Sequence, residues 1–154
     1  MLKESEELDM IQSAAFGIGV AAERGGSTVG PYMAESQKLL MEIINHKNSR
    51  DEERAIATEC AIGALGKIVY FFDSTNVAVF LNSLPLVAEA EEAQNVHSQF
   101  LIKILEKNKN LFAQELMVKQ AILKIATVAK SHAEWEILNE NGEKMMVAIL
   151  SQLK

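Results

Sequence analysis

The strongest constraint on this chain is a helical period that recurs along it. From Ala57 the small and apolar residues fall at Ala57, Cys60, Ala61, Ala64, Leu65, Ile68, Val69 and Phe72, the i, i+3, i+4, i+7 spacing of a helix with one buried stripe. Glu59, Gly63, Gly66, Lys67 and Tyr70 fall on the other side, which is only partly polar. The same template fits Ile11, Ala14, Ala15, Ile18, Ala21 and Ala22, and again Ala93, Val96, Phe100, Leu101, Ile104 and Leu105. Two prolines and eight glycines in 154 residues, with 6% aromatics, are too few for the turns and aromatic strands of a sandwich or barrel. The predicted fold class is all-α.

Helices of a second kind lie between these. Gly25-Gly26 is a stop signal and Gly30-Pro31 restarts the chain, after which Tyr32, Leu39, Leu40, Ile43 and Ile44 are expected to share a face. Asp73-Ser74 offers an N-cap to a helix carrying Val77, Phe80, Leu81 and Leu84, which Pro85 closes. Asn108 and Asn110 bracket a further break. A helix from about Leu111 to Lys130 then turns Val118, Ile122, Ile125, Ala126 and Ala129 inward. Ala14-Ala15-Phe16-Gly17 can be laid on Cys60-Ala61-Ile62-Gly63 at an offset of 46 residues, within the period of about 40–47 residues of HEAT and armadillo helix pairs. The expected architecture is one domain, 1–154: an α-α superhelix, or HEAT/armadillo-like solenoid, of about three helix pairs (9–46, 51–86 and 89–130). A partial unit, 131–154, caps it. That unit holds Trp135, Ile137 and Leu138, then a short helix from about Gly142 with Met145, Met146, Ile149, Leu150 and Leu153 apolar.

Charge and motifs exclude several functions. Fifteen Lys+Arg against 21 Asp+Glu leave a net charge of −6, so there is no basic footprint for direct nucleic-acid or anionic-membrane binding, and basic partners are favoured. A single cysteine, Cys60, makes neither an internal disulfide nor a zinc cage and is expected to be buried. No apolar run approaches the roughly 18 residues of a membrane span, and the acidic start Met1-Leu2-Lys3-Glu4-Ser5-Glu6-Glu7 is unlike a signal peptide. The expectation is a soluble, intracellular protein. Gly17-Ile18-Gly19-Val20-Ala21-Ala22 matches the relaxed dinucleotide pattern G-x-G-x-x-A, which needs a preceding strand and a helix N-terminus. Here the glycines interrupt a helical pattern already under way from Met10, where small residues let a neighbouring helix approach closely. His46, His97 and His132 form no metal-ligand spacing, and His97 reads as a packed histidine. Glu89, Glu91 and Glu92 suit the first turn of a helix by its dipole, and the methionines are packing material. No catalytic residue, cofactor or metal ligand is assigned, and the chain is read as a non-enzyme.

The blocks Ala14-Ala15-Phe16-Gly17-Ile18-Gly19-Val20-Ala21-Ala22, Gly25-Gly26 and Pro31-Tyr32, then Ala57-Thr58-Glu59-Cys60-Ala61-Ile62-Gly63-Ala64-Leu65-Gly66-Lys67-Ile68, resemble the C-terminal HEAT repeats of importin-β superfamily nuclear import receptors. The nearest branch is the one that imports ribosomal proteins and histones. Phe80-Leu81-Asn82-Ser83-Leu84-Pro85-Leu86, with Glu91-Glu92-Ala93 and His97, resembles the next repeat. Cys60 departs from the resemblance, where asparagine is common, and so does Phe80, where tryptophan is expected.

The resemblance implies a fragment of a longer, shuttling receptor (karyopherin β) of cytoplasm and nucleus, whose second helices face basic protein cargo. Ran GTPase and FG nucleoporins would be partners of the full-length receptor. The candidate cargo-facing residues are Glu35 and Glu42, which share a polar side with Lys38, and Asn82, which lies away from its helix's apolar stripe. The carboxylates are suited to Lys or Arg, and the amide to an extended peptide backbone. Two other functions share parts of the pattern: a HEAT scaffold of another kind, such as a phosphatase regulatory subunit, and a nucleotide enzyme using the glycine segment.

Overall fold

A computed structural model describes residues 4–107, 115–131 and 137–152, and among them every regular element is a helix. The chain is all-α and HEAT-like in its helix content, and it divides into two compact units, Met1–Asn76 and Val77–Lys154. In the first, α1 (Glu4–Arg24), α2 (Gly30–Ile44) and α3 (Glu52–Phe71) follow one another, and α3 packs chiefly on α1 and secondarily on α2. Glutamates at both N-termini, Glu4, Glu6 and Glu7 on α1 and Glu52 and Glu53 on α3, complement the helix dipoles. Gly26 ends the α1 corner at φ 56°, a left-handed conformation that a Cβ disfavours. Pro31 then occupies the first turn of α2, where a missing N–H costs nothing.

The contact between α1 and α3 sets this unit. Leu8, Ala15, Gly19 and Ala22 form the buried stripe of α1, while Ala14, expected inside, is exposed. A Cβ on Gly19 would stand 3.4 Å from the Cα and Cβ of Ala64 and 3.4 Å from Cδ of Lys67. Close approach through small residues is thus realised at Gly19. Lys67 lies along this seam and reaches Glu23, one turn further on, at 3.1 Å.

Helix α3 departs from the expected one-sided stripe. From Ala57 to Val69 every residue but Cys60 is buried, including Glu59 at 1% exposure and Lys67 at 8%. Cys60, expected to be buried, is only partly so. A helix covered on both α1 and α2 sides has no solvated face to give its polar residues.

Helix α2 also turns differently from the expectation. Met33, Gln37, Leu40 and Ile44 are its buried residues, whereas Tyr32 and Leu39 are 68% and 47% exposed. The expected face paired neighbours 39 with 40 and 43 with 44, a span wider than one packing surface. The true stripe steps i, i+4, i+7, i+11 and includes the polar Gln37, whose Oε1 accepts a 2.6 Å hydrogen bond from Asn76 Nδ2. Asp73 caps a single 3₁₀ turn, Ser74–Asn76, rather than the following helix. Its Oδ1 accepts from the Thr75 amide at 2.9 Å and the Thr75 hydroxyl at 2.6 Å, and these bonds hold the carboxyl below the usual carboxylate range.

The second unit contains α4 (Val77–Asn82), α5 (Ala90–Asn95), a π-helical turn (Val96–Phe100), α6 (Leu101–Lys107), α7 (Glu115–Ser131) and α8 (Glu140–Gln152). Val77, Phe80, Leu81 and Leu84 are all buried, as their spacing predicts. So are Ala93, Val96, Phe100, Leu101, Ile104 and Leu105, although the π turn divides their helix. Glu89 caps α5, its Oε2 accepting from the Glu92 amide at 2.6 Å. On α7 the buried residues are Val118, Ala121, Ile122 and Ile125; Ala126 is exposed and Ala129 half-buried, because the inward stripe ends at Ile125. Ile137 is buried, and so are Gly142 and Met146 on α8. Asn108, Asn110, Leu111, Trp135 and Leu153 lie outside the described residues.

The two glycines of α1 should respond in opposite directions. Gly17 has nothing within 4 Å of its would-be Cβ, so Gly17→Ala is expected to raise stability by about 0.5–1 kcal/mol through helix propensity. Gly19→Leu would drive a side chain into the backbone of α3 and is expected to cost about 1–3 kcal/mol. Urea unfolding midpoints of the two variants check the contrast.

Candidate functional site

Gly17 and Gly19 both lie in the interior of α1, so neither meets a helix N-terminus able to hold phosphate. Among the described residues no group of His, Cys, Asp and Glu could hold a metal ion, and no helix is long and apolar enough to cross a membrane. His46 Nδ1 accepts a 3.2 Å hydrogen bond from the Asn48 amide in an exposed turn, and His132 lies outside the described residues.

His97 is fully buried in the π turn of the second unit. Its Nε2 accepts from the Leu86 amide at 3.0 Å, which requires the proton on Nδ1, and Nδ1 donates to the Ile137 carbonyl at 2.9 Å. The ring thereby joins two non-helical segments while remaining neutral. Burial pushes its pKa down to about 4, partly opposed by the bond to Ile137. Next to it, Ser98 Oγ accepts from the Asn139 amide at 3.2 Å, and the Asn139 side chain in turn accepts from the Gly142 amide at 2.8 Å, within the first turn of α8. This is a structural clasp with no access to substrate.

The sequence-predicted surface residues lie on helix faces that folding leaves open. Glu35 and Glu42 are exposed on α2, with Lys38 exposed on their flank. Tyr32 and Leu39, expected inside from their spacing, share that outward face, so that two large apolar residues alternate with two carboxylates along one ridge. Helix geometry decides this: positions 32, 35, 39 and 42 fall within about one quarter of the helix circumference. Asn82 is exposed at the end of α4, in the other unit.

Clefts open in both units among the described residues. One, of about 540 Å³, lies between α7 and α8, is lined by Ile122, Ala126, Leu138, Met146, Val147 and Leu150, and has Lys130 and Glu143 beside it. The other, of about 520 Å³, is acidic, with Glu4, Asp9 and Glu53 around Leu8.

These features define an all-α protein of the HEAT-like class, with mixed polar and apolar residues on an open face of α2. Comparison with known proteins agrees with that class. The chain is 29% identical over 154 residues to a probable importin-5 homolog of Dictyostelium discoideum, a match covering 93% of this chain and 14% of that protein. It is 27% identical over 117 residues to importin subunit beta-3 of Saccharomyces cerevisiae, covering 72% of this chain and 11% of that protein. Both likenesses support a relation to the importin-β family. No family model and no solved structure matches. The chain therefore spans a small part of the length of the relatives it matches.

The clasp supplies a pH test. A buried histidine with its pKa depressed from 6.5 to about 4 leaves the unfolded chain binding more protons between those values, so stability rises with pH across that window. The contribution should be complete above pH 6.5, decline as pH falls towards 4, and amount to about 3 kcal/mol. Urea unfolding of the second unit at a series of pH values should show this slope, and His97→Phe should abolish it while lowering stability at neutral pH.

Proposed function

We propose that the chain is part of a nuclear import receptor, and that it contributes a non-catalytic surface for basic protein cargo. The likeness to a probable importin-5 homolog along 93% of the chain carries this reading. The all-α packing is consistent with it, and neither relative's name favours a phosphatase scaffold. The chain belongs, in this reading, to the branch that imports ribosomal proteins and histones. Ran GTPase and FG nucleoporins are partners of the longer receptor, which moves between cytoplasm and nucleus. Direct contact with nucleic acid or membrane forms no part of the activity.

The cargo-facing residues are Glu35 and Glu42 on α2 and Asn82 on α4. Neither carboxylate makes an ion pair among the described residues, and both project into water, where a Lys or Arg of the cargo can reach them. The net charge of −6 adds a long-range attraction that salt screens. Asn82 offers both a donor and an acceptor to a peptide backbone.

Fluorescence anisotropy with a labelled basic segment of a ribosomal protein tests the proposal. Glu35→Lys combined with Glu42→Lys is expected to weaken binding on the order of tenfold at low salt, since exposed ion pairs are individually modest. Asn82→Ala should weaken it less and without salt dependence. Unchanged affinity in all three positions would remove them from the function.

A further inference from the structure

Helix α8 is joined to the second unit unevenly along its length. Of its residues through Ser151 only Gly142 and Met146 are buried; Met145, Ile149 and Leu150 are half-buried, and Val147 is 67% exposed. By contrast α6 buries Leu101, Ile102, Ile104 and Leu105. Beyond its first turn α8 faces α7 across the cleft of about 540 Å³, whose walls include Ile122, Leu138, Met146 and Leu150. Apolar surface that faces a gap forfeits much of the dispersion energy of close packing. The 2.7 Å ion pair of Lys144 with Glu140 lies within the helix and does nothing to hold it down.

The first turn is attached differently. In the π turn the Leu101 amide donates to the Val96 carbonyl five residues back, one more than in an α-helix, so the turn holds an extra residue. Val96, His97, Ser98 and Phe100 are all buried there. Two of them reach the segment that leads into α8. His97 Nδ1 donates to the carbonyl of the buried Ile137, and Ser98 Oγ accepts from the Asn139 amide. Gly142 then seats the helix on Ser98 with no side chain between them. A Cβ there would stand 2.5 Å from Ser98 Oγ and 2.9 Å from both Ser98 Cβ and Leu138 Cδ1. A buried ring thus anchors the root of α8, and a part-buried hydrogen bond to Ser98 latches its start.

We propose that α8 is a latched strap: it leaves and rejoins the second unit as one piece while α6 stays folded, pivoting between the fixed Ile137 and the latch at Ser98. A helix of 13 residues is marginal in water by itself. On release it therefore melts, and every amide along it becomes exchangeable in the same event. Release also uncovers Ile122 and Leu138 on the walls of the cleft. Because the attachment is tight at one end and slack along the rest, the contact with Ser98 sets how often the strap opens.

Amide hydrogen exchange followed residue by residue on the whole chain tests this. Amides from Met145 to Ile149 are expected to share one protection factor to within about threefold, at least about tenfold below those of Ile104 and Leu105 on α6. Ser98→Ala removes the latch oxygen and should speed exchange about fivefold along all of α8, with α6 unchanged. Gly142→Ala separates a strap from simple fraying. Alanine favours the helix itself, so a helix that merely frays exchanges more slowly in this variant. A strap pushed off Ser98 exchanges several-fold faster from Met145 to Ile149. The α6 amides in the same spectra verify the fold of each variant.

Protection of α8 equal to that of α6 in the unmodified chain would mean that α8 opens only with the whole unit, and would overturn the strap. So would protection graded along α8, acceleration by Ser98→Ala confined to the first turn or shared equally with α6, or slower exchange in Gly142→Ala.

Discussion

The close approach of α1 to α3 at Gly19 is the constraint on which the first unit depends. A Cβ at this position would stand 3.4 Å from Ala64, at ordinary contact distance, so the seam is set by small side chains on both helices and has no room for a long one at Gly19. Close packing of this kind gains many weak dispersion contacts and excludes water from both backbones. It also fixes what α3 becomes. Covered by α1 along one side and α2 along another, α3 is buried almost throughout from Ala57 to Val69. Its Lys67 then extends along the seam to meet Glu23, so that a buried aliphatic stem ends in a charge pair at the boundary with solvent.

The same arrangement determines which side of α2 is free. Leu40, fully buried, and Met33 and Ile44 beside it commit one face of α2 to the interior. Gln37 belongs to that face because Asn76 satisfies its carbonyl oxygen, which lowers the cost of enclosing an amide. Turning these four residues inward rotates Tyr32 and Leu39 outward together with Glu35 and Glu42. The mixed face is therefore a consequence of how the core is filled.

Much of this was legible in the residues. At Val77, Phe80, Leu81 and Leu84, and along the stripe from Ala93 to Leu105, burial matched expectation, whereas Ala14 and Ala126, at the margins of their stripes, are exposed. The exposure of Glu35, Glu42 and Asn82 also followed from helical spacing. Reading failed where a helix offered two candidate stripes. On α2 hydrophobicity alone favoured Tyr32 and Leu39 over Gln37, and only the distant Asn76, 39 positions along the chain, decides between them. On α3 the spacing from Ala57 to Phe72 pointed to one buried stripe, but Glu59, Gly63, Gly66 and Lys67 on the opposite side are buried as well, because neighbours cover both sides. The π turn around His97 carries no local signature either: it is held by Leu86 and Ile137, 11 and 40 positions away.

A docking surface in such a fold must consist of residues that folding does not use, and this separates the two histories written into α2. Substitutions on the inward stripe act through stability, as loss of a buried side chain does elsewhere. Substitutions on the outward ridge leave the core intact and act on whatever lies against it. An apolar residue exposed on that ridge adds nothing to the unit by itself and increases the surface available for unwanted association. Tyr32 and Leu39 are two such residues, interleaved with Glu35 and Glu42 on the same side of the helix. In the proposed cargo contact the carboxylates would do more than attract cations, because any partner that buries them without a counter-charge bears their desolvation cost.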